Sequence, residues 1–127
     1  MLKDRDLVQV ALQTADLPRA IAFYRDTLGL PFLFEVSGMA FFQIKNGARL
    51  MVGSNAANLA PKDSSAIYFD APDLPVLAEN LAKRGVTFRG PAITLQKTAK
   101  GNLMLQFFND PDGNLIGLMG DVAAGLV

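Results

Sequence analysis

A chain of 127 residues with 12 basic and 12 acidic side chains has no net formal charge, which argues against nucleic acid or an acidic membrane as its main partner. Half of its residues are hydrophobic, enough for the core of one domain and too many for a disordered chain. Cysteine and histidine are both absent, so disulfides, thiolate chemistry and the commonest metal ligand and general base are excluded together.

The amino-terminal "MLKDRDLVQV" is too charged for a secretory leader, and no apolar run reaches membrane-spanning length, so a soluble, cytoplasmic protein is expected. "LVQVALQT" then alternates, with Val8, Val10 and Leu12 on one face and Gln9, Ala11 and Gln13 on the other, the pattern of a half-buried strand. Asp16 offers a helix cap, Pro18 sits in the first turn where its missing amide costs nothing, and Ile21, Tyr24 and Leu28 form one stripe before Gly29 ends the helix. "FYRD" within it reads as helix packing plus a solvated Arg25–Asp26 pair. "LPFLFEV", "MAFFQIK" and "ARLMVGS" predict three strands, joined by turns at Ser37-Gly38 and Asn46-Gly47.

The order β-α-β-β-β then recurs. "SAIYFDAPDLPVLAENLAKRGVTF" predicts a strand, a helix opened by Asp-Leu-Pro and stopped by glycine, and a second strand at "GVTF". Asp16 and Asp73 begin identical Asp-Leu-Pro triplets 57 residues apart, and Gly29 and Gly85 keep nearly that offset. "AITLQK", "NLMLQFF" and "NLIGLM" supply further strands, with a longer hairpin expected around Lys100-Gly101-Asn102. The boundaries expected are 7–53 for the first module and 65–119 for the second, with 120–127 as a tail without clear signal. In "NDPDGN", Asp110, Asp112 and Asn114 resemble the start of an EF-hand loop. Leu115, however, stands where the sharp-turn glycine belongs and Asp121 where a bidentate Glu belongs. Proline and glycine between two apolar runs make it a hairpin turn.

"DLPRAIAFYRDTLGL" and "FFNDPDGNLIGL", set in a duplicated β-α-β-β-β frame, resemble the vicinal oxygen chelate superfamily of glyoxalases, bleomycin-resistance proteins and extradiol dioxygenases. The resemblance implies an α+β fold of two βαβββ modules whose sheets curl into an open eight-stranded barrel with the helices outside. It also implies a homodimer. Such proteins hold a divalent metal through four strand positions, which fall here on Gln9, Met51, Ala66 and Gly117. Only Gln9 offers an oxygen or nitrogen donor, so the resemblance carries the fold without the metal, and no cofactor is expected.

What remains is a cleft face. Alternation gives it Gln9, Ala11, Gln13, Arg49, Met51, Ala66, Tyr68, Asp70, Leu115, Gly117 and Met119. The opposite face (Val8, Val10, Leu12, Leu50, Val52, Ile67, Phe69, Ile116 and Leu118) should pack under the helices. Apolar surface with a few polar groups suits a small organic ligand, so Gln9, Gln13, Arg49, Met51, Tyr68, Asp70 and Met119 are the candidate binding residues. Each has two readings. Arg49 clamps an anion or pairs with Asp70 or Glu35; Tyr68 contacts a ligand or fills the barrel; Gln9 orients a ligand or satisfies backbone; the methionines pack or adapt. Phe41-Phe42 and Phe107-Phe108 each send one ring to each side of their sheet, the register deciding which. The function expected is binding of a small hydrophobic or aromatic molecule. The alternative is a lyase or dioxygenase using a relocated metal, or metal-free acid–base chemistry by Asp70, Glu35 or Tyr68.

Overall fold

The computed structural model describes residues 1, 3–54 and 66–126. Its contacts divide the chain into two compact units, Met1–Lys62 and Asp63–Val127, each with one four-stranded sheet and one major helix.

In the first unit, β1 (Gln9–Gln13) leads into α1 (Leu17–Ile21), followed by β2 (Phe32–Val36), β3 (Met39–Gln43) and β4 (Arg49–Gly53). The sheet order is β1-β4-β3-β2, with β1 parallel to β4 and the other pairs antiparallel. Asp16 caps α1 by accepting from the Arg19 amide at 3.1 Å, and Pro18 lies in the first turn. From Ala22 to Thr27 the helix widens to π geometry, with the Leu28 amide bonded to the Phe23 carbonyl. Ala20, Ile21 and Tyr24 are buried against a core that includes Ala40, Phe42, Leu50 and Val52. The Tyr24 and Phe42 ring centroids are 5.7 Å apart. Arg25 and Asp26 form an exposed ion pair at 2.8 Å, which lowers the carboxyl pKa and raises the guanidinium's, chiefly through their hydrogen bond. Both hairpin turns form, with Ser37, Gly38 and Gly47 at positive φ; glycine reaches that region at no steric cost.

Val8 departs from expectation. The ladder begins at Gln9, and Val8, though its carbonyl accepts from the Arg49 amide, is 66% exposed. A side chain one residue before the first ladder position has no core to join.

The second unit repeats this plan with β5 (Ala66–Asp70), α2 (Leu74–Lys83), β6 (Ile93–Thr98), β7 (Gly101–Asn109) and β8 (Leu115–Ala123), in sheet order β5-β8-β7-β6. Leu74 and Leu81 of α2 are buried, as are Met104, Phe108, Ile116, Leu118 and Val122. Asp73 begins α2 without a side-chain cap bond, unlike Asp16. Three expectations are corrected here. "GVTF" contributes a single bridge, Phe88 to Phe108, made by the Arg89 amide donating to the Phe107 carbonyl, and the chain then bends at Arg89-Gly90 instead of continuing the ladder. The β6–β7 connection is tight rather than long, with only Ala99 and Lys100 between the strands. β8 continues past residue 119, pairing Gly120–Ala123 with Gly101–Met104 and burying Val122 completely. Alternation there (Gly120, Val122 buried; Asp121, Ala123 exposed) is spread over small residues and gave little periodic signal. Among the described residues no helix is long and apolar enough to cross a membrane.

Candidate functional site

In the first unit, cross-strand register fixes the face turned away from α1. Gln9 is level with Arg49 and Arg49 with Gln43; Ala11 with Met51 and Met51 with Phe41; Gln13 with Gly53 and Gly53 with Met39. Directly opposed residues share a face, so Gln9, Gln13, Arg49 and Met51 lie together as the sequence suggested. Met51 is buried and Arg49 exposed. Arg49 Nη2 donates to Gln9 Oε1 at 3.2 Å, and its guanidinium carbon sits 5.1 Å from the centre of the Phe41 ring. Such a cation–π contact contributes about 0.5–1 kcal/mol at an exposed position. Phe41 stacks in turn on Phe34, centroids 4.7 Å apart and planes at 29°.

Phe34 reaches this face because β2 is bulged. Phe32 is level with Phe42, but Phe34 is level with Phe41, so the register slips between them. Strict alternation would put Phe32 and Phe34 on one face and turn Glu35 to the side of Arg49. The extra residue sends Phe34 across instead and leaves Glu35 level with Ala40, on the core side. Glu35 is therefore no partner for Arg49, and among the described residues Arg49 forms no ion pair. Sequence reasoning missed Phe34 because a bulge leaves no periodic signature.

In the second unit, Tyr68 is level with Gly117 and Gly117 with Phe107; Asp70 is level with Met119 and Met119 with Leu105. Tyr68, Asp70 and Met119 thus share the face away from α2. Tyr68 is 52% exposed and meets Phe107 edge to face at 5.8 Å. The phenylalanine doublets resolve the same way in both units: Phe42 and Phe108 lie on the helix side of their sheets and Phe41 and Phe107 on the other, Phe41 itself buried beneath Phe34 and Arg49. "DPDGN" is a turn. Asp110 Oδ1 accepts from the Asp112 and Asn114 amides at 2.9 and 2.8 Å, its Oδ2 accepts from Asn114 Nδ2 at 2.8 Å, and Gly113 has φ 88°.

Residues 6–118 match the Glyoxalase/Bleomycin resistance protein/Dioxygenase superfamily. The chain belongs to that superfamily. Solved structures agree on the fold. A lactoylglutathione lyase from Agrobacterium tumefaciens is 17% identical, with a TM-score of 0.72 over 93% of this chain and 95% of its own. An integron cassette protein from V. cholerae is 23% identical, with a TM-score of 0.72 over 94% and 98% of the two chains. TnmS3, an antibiotic binding protein from a Streptomyces species, is 24% identical, with a TM-score of 0.73 over 95% and 99%. No curated protein sequence matches the chain.

The metal positions implied by glyoxalase-type members can be tested against this donor set. A divalent ion needs several oxygen or imidazole donors to replace its hydration. Gln9 is the single donor of the four, and its Oε1 already accepts from a guanidinium, whose charge repels a cation. Met51 offers only a soft thioether, buried in the sheet. At Gly117 a Cβ would lie 2.7 Å from Tyr68 Cδ2 and 3.1 Å from Phe107 Cε1, so two rings fill the space a ligating side chain would need. Ala66 carries no donor. These residues do not fit a divalent metal, and among the described residues no group of three metal-ligating side chains converges elsewhere.

The packing over Gly117 has a measurable consequence. Gly117→Ala should push the half-exposed Tyr68 ring aside rather than disrupt the sheet, costing about 1 kcal/mol. With no tryptophan and only Tyr24 and Tyr68 to emit, the protein's intrinsic fluorescence should change on this substitution. Comparison with Gly117→Ala/Tyr68→Phe assigns the change to Tyr68; an unaltered spectrum would contradict the contact.

Proposed function

We propose that this member of the superfamily is a metal-independent binder of small hydrophobic or aromatic molecules, which lie against the open sheet faces. The observation that carries this reading is the replacement at Gly117. Where a glyoxalase-type carboxylate would reach for a metal, Tyr68 and Phe107 present rings instead. On the first unit the proposed contacts are Gln9, Gln13, Arg49 and Met51, joined by Phe34 and Phe41; on the second they are Tyr68, Asp70 and Met119, joined by Phe107. Aromatic rings beside methionine and a few polar groups match what organic ligands need. The likeness to an antibiotic binding protein supports the same reading. A lyase or dioxygenase role would have to find its acid or base in Asp70 or Tyr68, since Glu35 is turned to the other face. A cytoplasmic homodimer remains part of the proposal, on family grounds.

Thermal unfolding tests it. Nickel, zinc, manganese and iron(II) should leave the midpoint unchanged. A planar aromatic compound that binds should stabilise by about 2.7 kcal/mol at a hundredfold excess over its Kd. Stoichiometric uptake of an ion with marked stabilisation would reverse the proposal.

A further inference from the structure

The face of the first unit turned away from α1 carries a charge that, among the described residues, its neighbours do not neutralise. Arg49 is exposed, its hydrogen-bond partner Gln9 is a neutral amide, and among the described residues it forms no ion pair. Gln43, level with it on the other side, directs its own amide nitrogen to the Ile44 and Ala48 carbonyls at 3.0 and 3.2 Å. The bulge in β2 removes the one carboxylate that alternation would have brought to this face, Glu35, and supplies a ring in its place. The result is a row in which Gln9 holds the guanidinium over Phe41, and Phe41 stacks on a Phe34 that is 43% exposed.

Guanidinium chemistry says what such a row recognises. Arg has five N–H donors in a planar fork, and Gln9 uses one of them. Contact with Phe41 limits the orientations of the plane, so less freedom is lost when a further partner binds the remaining edge. A planar carboxylate, sulfonate or phosphate accepts two parallel bonds from that edge. The exposed Phe34 ring beside it offers a stacking surface for the body of the same molecule.

We propose that the ligand is an aromatic anion, its acidic group held by Arg49 and its ring system lying on the exposed Phe34, which Phe41 backs from beneath. This rests on the binding function proposed above and narrows it to one chemical class. A neutral aromatic would use the rings and leave the guanidinium charge without a counterpart.

The test uses two dyes on the full chain: 8-anilinonaphthalene-1-sulfonate and its uncharged relative N-phenyl-1-naphthylamine. The sulfonate dye should bind the wild type at least about tenfold more tightly than the neutral one, and its affinity should fall as salt rises. Arg49→Met should lower the sulfonate dye's affinity about tenfold and change the neutral dye's less than twofold. Arg49→Lys, which keeps the charge but loses the fork, should fall between. Circular dichroism and unfolding midpoints show whether each variant is folded. Equal affinity for both dyes, unaffected by Arg49→Met in a folded variant, would overturn the anion assignment and leave the binding function standing. Failure of both dyes to bind would overturn the binding function and the anion assignment with it.

Discussion

Gly120→Ala should destabilise the chain by about 4 kcal/mol or more. A Cβ at position 120 would lie 2.1 Å from the Ala71 carbonyl oxygen, 2.3 Å from its carbon and 2.7 Å from the Pro72 nitrogen. All three are backbone atoms, so no rotamer change relieves the overlap. Nor can the backbone easily withdraw. Ala71 is fully buried, its amide donates to the Met119 carbonyl at 2.8 Å, and Pro72 follows it with a fixed φ. The close approach exists because the chain leaving β5 crosses β8 on its way into α2, and β8 must be bare where it is crossed. Gly117 makes the contrast, since its neighbours are side chains that can swing aside. Gly125→Ala is the control: nothing lies within 4 Å of the place its Cβ would take, and its cost should stay within about 0.5 kcal/mol. Urea denaturation of the three alanine variants should rank them 120, 117, 125 in order of loss. A Gly120→Ala protein as stable as the wild type would mean that β8 does not pass Ala71 as described.

The duplicated β-α-β-β-β order was legible because its signals are local. A glycine at positive φ, a capping aspartate and an alternating strand each act within a few residues of themselves, and each recurs in the second module. Gln9, Arg49 and Met51 could be put on one face for the same reason, as could Tyr68 and Met119. What stayed hidden depends on pairing. The phenylalanine doublets had to split between faces, but which ring went inward depends on the register of β3 against β4 and of β7 against β8. The bulge that moves Phe34 in and Glu35 out is an insertion in one strand relative to its partner, invisible from that strand alone. β6 slips similarly between Thr94 and Gln96. The Gln9–Arg49 bond likewise joins residues 40 apart that only the parallel β1–β4 ladder brings level. Val8 and "GVTF" failed in the opposite sense, having strand-like composition where the ladder does not extend. Propensity describes a surface that suits a sheet, and a partner must still be there.

Adjacent rings on opposite faces give the second large effect. Phe42→Ala should cost about 3–5 kcal/mol, since the ring is fully buried, 5.7 Å from Tyr24 and 5.6 Å from Phe32, and its loss leaves a cavity beneath α1. Ligand affinity measured on the remaining folded protein should stay within about threefold of wild type, because Phe42 does not reach the open face. Phe41→Leu should behave in reverse. Leucine keeps most of the apolar volume, holding the stability loss to about 1.5 kcal/mol. It also removes the ring that Phe34 stacks on and Arg49 lies over, and those contacts together are worth about a factor of ten in binding. Urea unfolding alongside titration with the anionic dye separates the two variants on independent axes. The face assignment fails if Phe42→Ala changes stability by less than about 1 kcal/mol while Phe41→Leu leaves the dye's affinity untouched, because the two rings would then have exchanged places.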